Sequence, residues 1–222
     1  MQTKLEDSED KKFELLVKVI ENLKKSGIKQ VIDLRMKEFE ELGKKSSNEL
    51  FNDLCFCCMT ANFSAQGGIK IQNAIANGFA TLPEEELAQK LSELGHRFPN
   101  ARAKYVVESR IYKDTLKKIL EEINDELLTR EWIVNNIKGL GMKEASHFLR
   151  NIGYKKLAII DFHIIDLLVK HNLIERPKSK SLAQKKYLEI ENVLTRLSKL
   201  TNLNLGELDL YLWYEETGKI LK

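Results

Sequence analysis

The stretch IKGLGMKEASHFLRNIG, residues 137–153, contains two glycines one residue apart, and Lys143 follows two residues after the second. Apolar residues flank the Gly139-Leu140-Gly141 turn, and small and apolar residues then recur on one helical face. Glycine lets a backbone turn sharply between two short helices. The stretch therefore predicts two helices joined by a tight turn, a helix-hairpin-helix.

The predicted turn is suited to bind a phosphate group. Amides of the turn and of the second helix's first turn would point outward, and the helix dipole adds positive potential there. A hairpin of this kind grips the DNA backbone without reading bases. We expect Gly139, Leu140 and Gly141 to bind DNA. An ordinary corner between two helices is the alternative for this segment taken alone.

Helical periodicity also dominates the rest of the chain. Apolar residues recur at three- and four-residue spacing, and no hairpin signal separates alternating runs. We predict an all-α fold of about ten helices. A capping box at Thr81 is predicted to start one of them, and residues 175–186 are predicted to be a linker. The predicted helices cover residues 13–27, 31–43, 48–59, 84–94, 101–122, 132–137, 142–152, 162–171, 181–200 and 205–216.

Composition limits the class of protein. The chain has 222 residues with a net charge of +3, which permits a nucleic-acid partner only if basic residues cluster. The first 14 residues contain no apolar core of a secretory signal, and no apolar run is long enough to span a bilayer. The sequence predicts a soluble, cytoplasmic protein with no membrane partner.

The three cysteines, Cys55, Cys57 and Cys58, lie within one apolar stretch. Their spacing fits neither a zinc site nor an iron–sulfur site. We predict that they are packing residues of a buried helix and that the protein binds no metal.

Lys143 and Asp161 are the candidate catalytic pair. Each has an ordinary interpretation by itself, Asp161 as a helix N-cap and Lys143 as a further phosphate contact. Together with the hairpin in front of them, they resemble the endonuclease III-like superfamily of helix-hairpin-helix DNA glycosylases. The resemblance implies that Lys143 is a nucleophile and Asp161 a catalytic carboxylate.

The last residues, LYLWYEETGKILK, resemble the end of the type 2 8-oxoguanine DNA glycosylases/AP lyases of archaea and some bacteria. This resemblance implies that the α-carboxylate of Lys222 recognises the damaged base and that Trp213 stacks on it. A core aromatic is the alternative for Trp213. Phe98 is predicted to lie on the other face of the base, and Asn62 to enter the gap left by a flipped nucleotide.

The resemblance further implies two helical lobes with DNA bound across them. One lobe would hold residues 46–156, and the other would combine residues 1–45 with 157–222. The implied activity is base-excision repair of double-stranded DNA containing 8-oxoguanine, with strand cleavage through a lysine Schiff base. No cofactor is implied, and we expect a monomer.

Two alternatives stay open at this point. A glycosylase of the endonuclease III type, acting on oxidised pyrimidines, would use Lys143 and Asp161 equally well. The terminal Lys222 and the missing cysteine cluster argue against it. A non-catalytic helix-hairpin-helix module is the other alternative, and it predicts nothing special about Asp161.

Overall fold

A computed structural model describes residues 10–179 and 181–222 and shows them folded into helices joined by short connections. The predicted all-α class is confirmed, and these described residues form thirteen α-helices and no strand. Single 3-10 turns occur at Lys11–Phe13 and Arg110–Tyr112. The α-helices are α1 Glu14–Lys24, α2 Ile28–Gly43, α3 Ser47–Thr60, α4 Ala65–Ile75, α5 Gly78–Thr81, α6 Glu84–Glu93, α7 Pro99–Ser109, α8 Leu116–Ile123, α9 Glu126–Asn136, α10 Met142–Asn151, α11 Phe162–Lys170, α12 Gln184–Leu200 and α13 Leu205–Thr217.

The described residues divide into two compact units. The first contains those up to Met36 together with Lys155–Ile220, and the second contains Lys37–Tyr154 together with Leu221–Lys222. The last two residues of the sequence therefore group with the unit that carries the glycine hairpin.

Some of the sequence predictions are not tested by these units. The predicted lobes, 46–156 and 1–45 with 157–222, divide the chain at other residues, and their bounds stay a prediction. Most of the N-terminal stretch in which we found no secretory signal lies outside the described residues. One position of the predicted linker, residue 180, also lies outside them.

Helix α3 forms the centre of the second unit. Ser46 caps it in a capping box with Glu49, and the helix is buried almost all the way round. The cysteines lie in this core, as predicted. Burial raises the pKa of all three thiols, that of Cys58 to about 11. The thiols are therefore neutral near pH 7 and act as small apolar groups.

Helix α4 was not predicted, because two glycines near its start weaken the helical pattern. A Cβ on Gly67 would lie 2.2 Å from the ring of Phe63, and one on Gly68 would lie 2.8 Å from Thr60. The glycines therefore let α4 approach the end of α3 closely, and this packing stabilises a helix that intrinsic propensity disfavours.

The predicted capping box at Thr81 is wrong. Thr81 ends the one-turn helix α5, and its hydroxyl donates back to the carbonyl oxygen of Asn77. Pro83 is the N-cap residue of α6 instead, and no side chain caps that helix. The pattern over residues 101–122 is broken into α7 and α8 by the 3-10 turn between them.

Candidate active site

The predicted pair of helices joined by a tight turn is confirmed as α9 and α10. Gly139 has a φ of +83°, and a Cβ there would lie 2.4 Å from the ring of Tyr105. Gly141 is the N-cap residue of α10, and its N–H donates to the carboxylate of Glu144 at 3.4 Å. Leu140 is buried between the two glycines. At Gly139 the turn needs glycine for both its backbone conformation and its close packing.

Lys143 lies in the first turn of α10. Its side chain is 26% exposed, and Nζ lies 3.4 Å from the carboxylate of Glu144. The helix is buried from Ala145 to Asn151, which holds this first turn rigidly. Lys143 thus combines a fixed backbone with a partly accessible amine.

His147 lies one helical turn after Lys143 and is buried. Its Nε2 atom lies 3.2 Å from the backbone oxygen of Lys222, and its ring packs against Phe56 with centroids 5.6 Å apart. Burial, followed by the nearby charges of Arg150 and Lys143, lowers the pKa of His147 well below 6.5. The ring is therefore neutral, and Nε2 carries the proton that it donates to Lys222.

Contacts fix the side chain of Lys222 in addition to its backbone oxygen. Its ammonium pairs with the buried carboxylate of Asp53 and donates to Oε1 of Gln72 at 2.9 Å. It also lies 4.7 Å from the centroid of the Phe56 ring. Lys222 is therefore fixed through both its backbone and its side chain.

The buried His147 should make the stability of this unit depend on pH. In the unfolded chain His147 binds a proton near pH 6.5, whereas in the folded unit it binds one only well below that pH. The unfolded state then binds more protons below that pH, so stability falls on acidification, by at most about 1.4 kcal/mol per pH unit for one proton. Stability is kept above pH 6.5 and lost as pH falls from there towards the folded pKa.

Urea unfolding at about pH 7.5 and about pH 5 measures this dependence. The His147→Gln variant should lose less stability on acidification than the parent, because glutamine can still donate to Lys222 and does not titrate. An equal loss in both proteins would assign the pH dependence to other groups, such as His96, whose pKa is also lowered by burial.

A buried, non-helical segment leads to Asp161. Its backbone groups would be costly without hydrogen bonds, and α12 supplies them. The N–H of Ala158 donates to Glu191 at 2.9 Å, and the N–H of Ile160 donates to the hydroxyl of Tyr187 at 3.3 Å. These contacts fix the backbone immediately before Asp161.

Asp161 is the N-cap of α11, as predicted. One carboxylate oxygen accepts from the N–H of Ile164 at 3.0 Å, and the other accepts from the indole N–H of Trp213 at 3.2 Å. His163 packs edge-on against Trp213, with ring centroids 5.5 Å apart. Both carboxylate oxygens are thus oriented, and Trp213 is half-buried beside them.

Asn62 lies in the turn after α3, exposed and with a φ of +57°. Arg102, which is buried, fixes this turn by donating to the carbonyl oxygen of Ala61 at 2.7 Å. His96 connects the end of α3 to Phe98, because its ring bonds the backbone oxygen of Met59 and accepts from the N–H of Phe98, each at 3.0 Å. Phe98 itself is 40% exposed.

The predicted site residues thus fall into two groups. The first unit brings Asp161 and Trp213 into direct contact. The second unit contains the remaining ones, which are Asn62, Phe98, Gly139, Leu140, Gly141, Lys143 and Lys222.

An all-helical fold with a glycine hairpin, a lysine at the start of its second helix and an aspartate capping a later helix defines a helix-hairpin-helix DNA glycosylase. The sequence profile of the family described as 8-oxoguanine DNA glycosylase matches residues 32–203. The chain belongs to this family.

Several relatives match nearly the whole chain. The 8-oxoguanine DNA glycosylase/AP lyase of Korarchaeum cryptofilum is 54% identical over 207 residues, covering 93% of this chain and 98% of its own. The enzyme of the same description from Methanocaldococcus jannaschii is 53% identical over 208 residues, covering 94% of this chain and all of its own (100%).

Solved structures agree with the sequence matches. The M. jannaschii 8-oxoguanine glycosylase/lyase, in complex with a 15mer DNA containing 8-oxoguanine, superposes with a TM-score of 0.90 at 54% identity and covers 94% of this chain and 100% of that one. The 8-oxoguanine DNA glycosylase of Thermotoga maritima gives a TM-score of 0.88 at 43% identity, covering 95% of this chain and 100% of that one.

Among the residues that the structure describes, none of the helices combines the length and the apolar character needed to cross a bilayer.

Proposed function

We propose that this chain excises 8-oxoguanine from duplex DNA and then cleaves the strand at the resulting site, as part of base-excision repair. The observation that carries the proposal is the partly exposed Lys143 on the first turn after the glycine hairpin. Relatives named 8-oxoguanine DNA glycosylase/AP lyase support this substrate over the oxidised pyrimidines of the first alternative. A non-catalytic module, the second alternative, would use Asp161 only as a helix cap, and the relatives named as glycosylases and lyases favour the enzyme.

The damaged nucleotide must leave the duplex before any reaction, at a cost of a few kcal/mol. We propose that the hairpin amides at Gly139, Leu140 and Gly141 hold the DNA backbone while Asn62 fills the vacated place. The exposed position of Asn62 and its turn, held by Arg102, support this role.

Lys143 is the proposed nucleophile. Its neutral amine would attack C1′ of the sugar, and the bond from C1′ to N9 would break with its electron pair leaving on the base. Opening of the sugar ring converts the adduct into a Schiff base. Loss of a proton from C2′ then breaks the bond from C3′ to its oxygen and nicks the strand on the 3′ side.

Two carboxylates would affect this reaction, one by assisting it and one by opposing it. Asp161, ionised, would stabilise the positive charge that develops on the sugar as the base leaves. Its fixed orientation, with both oxygens bonded in the first unit, suits an electrostatic role that needs no reorganisation. Glu144 pairs with the ammonium form of Lys143, so the attack requires that this pair be broken and a proton released.

Base recognition is a hydrogen-bonding problem. 8-Oxoguanine has a hydrogen on N7, whereas guanine has an acceptor there, and a buried mispaired polar group can discriminate by as much as about 10⁴-fold. We propose that the backbone oxygen of Lys222 accepts from N7. This oxygen has more than one lone pair, so it can accept from the base and from His147 together. Phe98 and Trp213 are the proposed stacking residues.

Reductive trapping tests the proposal. Incubating the protein with duplex DNA containing 8-oxoguanine and borohydride should reduce the Schiff base to a stable covalent adduct. The matched control is the same duplex with guanine, which should give none. Failure to form an adduct with any damaged base would contradict the enzymatic function.

The oligomeric state and the cellular compartment are also proposed. We propose that the protein acts as a monomer on DNA in the cytoplasm, since duplex binding through one hairpin needs no symmetry-related partner. Sedimentation of the protein with and without duplex DNA tests the monomer.

A further inference from the structure

Lys222 occupies a receptor made from three helices of the second unit, two of which contact its side chain and one its backbone. Asp53 lies on α3, Gln72 on α4, and His147, which bonds the backbone of the same residue, on α10. None of these three contacts is needed to complete a helix. A residue at the end of the sequence is thus tied to the centre of this unit.

Asp53 is built into the core as a charged group. It is 1% exposed, and Asn151 donates to one of its oxygens at 3.1 Å while the Lys222 ammonium pairs with the other. A buried carboxylate is costly unless a cation and hydrogen bonds compensate for its lost hydration. The ion pair with Lys222 therefore stabilises the buried charge and the position of Lys222 together.

Contacts other than Lys222 orient the side chain of Gln72. Its amide nitrogen donates to Oδ1 of Asn52 at 2.8 Å, and the Asn52 amide in turn donates to the carbonyl oxygen of Ala76 at 2.9 Å. This chain of bonds assigns both amide orientations, so that Oε1 of Gln72 faces the ammonium. The receptor thus presents one carboxylate and one amide oxygen, a set that matches a lysine.

We propose that Asp53 and Gln72 are positioning residues for recognition of the damaged base, acting through Lys222. They hold its side chain so that its backbone oxygen stays beside His147, on the same helix that carries Lys143. The distance between the base acceptor and the nucleophile is then set by helix α10. This inference rests on the proposed function and concerns its base-recognition step.

Two variants separate positioning from general stability. Asp53→Asn removes the ion pair and keeps the shape, and Lys222→Met removes the charge and keeps a chain that can pack on Phe56. Each should slow excision of 8-oxoguanine, at saturating enzyme, between about tenfold and about a hundredfold, the cost of a small misplacement. Borohydride trapping on an abasic duplex should stay within about twofold of the parent, because no base has to be recognised there.

The double variant tests whether the two residues act as one unit. Its excision rate should match that of the slower single variant, since the second substitution removes an interaction that is already lost. Asp114→Asn is the matched control, because it neutralises an exposed aspartate paired with Lys113, and it should leave both activities unchanged. If Asp53→Asn does not fold, the Gln72→Leu variant tests the positioning role in the same two assays.

Different results would contradict the positioning role and the proposed function. Unchanged excision in Lys222→Met and Gln72→Leu, or a parallel fall in excision and abasic-site trapping, would overturn the positioning role. Multiplying effects in the double variant would also overturn it. If the parent itself formed no adduct on either duplex, the proposed function would fail instead.

Discussion

Replacing Lys143 by glutamine is expected to abolish the borohydride-trapped adduct and to slow strand cleavage by at least about a thousandfold, the scale of losing a nucleophile. Glutamine keeps the helix and most of the side-chain volume, and its amide nitrogen cannot form a Schiff base. Duplex binding should persist, because the hairpin amides are unchanged. Gel analysis of the adduct and of the nicked strand measures the effect.

The hairpin offers a matched control for this variant. Lys138 lies in the same turn, 68% exposed and 3.1 Å from the carboxylate of Glu108. Lys138→Gln removes the same charge and should still form the adduct, with at most weaker and less salt-sensitive duplex binding. An adduct that persists in Lys143→Gln would assign the nucleophile to another amine.

Replacing Asp161 by asparagine is the second large effect. We expect excision to slow by about 10²–10³-fold, because the charge that stabilises the developing positive charge on the sugar is gone. The variant should fold, since an amide oxygen can still cap Ile164. Its NH₂ group cannot accept from Trp213, so the indole hydrogen bond is lost as well.

The first unit provides the control for Asp161→Asn. Asp166 lies on the same helix, partly exposed and paired with Arg176 at 2.6 Å. Asp166→Asn should leave excision unchanged. A thermal unfolding curve of each variant, measured beside single-turnover excision, separates catalysis from stability. Equal excision rates in Asp161→Asn and the parent would contradict the catalytic role.

Much of the fold could be predicted because its signals are local. Apolar residues repeat along many helices at the period of the helix itself, so α1, α10 and α11 are visible in the order of residues alone. The hairpin is visible for a similar reason, since the two nearby glycines mark a turn, and at Gly139 few other residues could adopt its backbone conformation.

The failures occurred where close packing or a competing short helix overrides the intrinsic preference of a segment. Gly67 and Gly68 lower the helix propensity of α4, and only their packing against Phe63 and Thr60 makes that helix favourable. At Thr81, the short helix α5 takes the residue that would otherwise cap the next one.

The candidate site likewise contains residues that the sequence could indicate and residues that it could not. Lys143 and Asp161 could be proposed from sequence because each lies in a short local pattern and the two together resemble a known superfamily, and their roles remain predictions. The residues that form the receptor of Lys222 could not be proposed from sequence. Gln72 and Lys222 are 150 positions apart, and His147 and Lys222 are 75 apart. Such residues meet only after the helices have packed, so no spacing along the chain records that a buried aspartate and a terminal lysine compensate each other's charge.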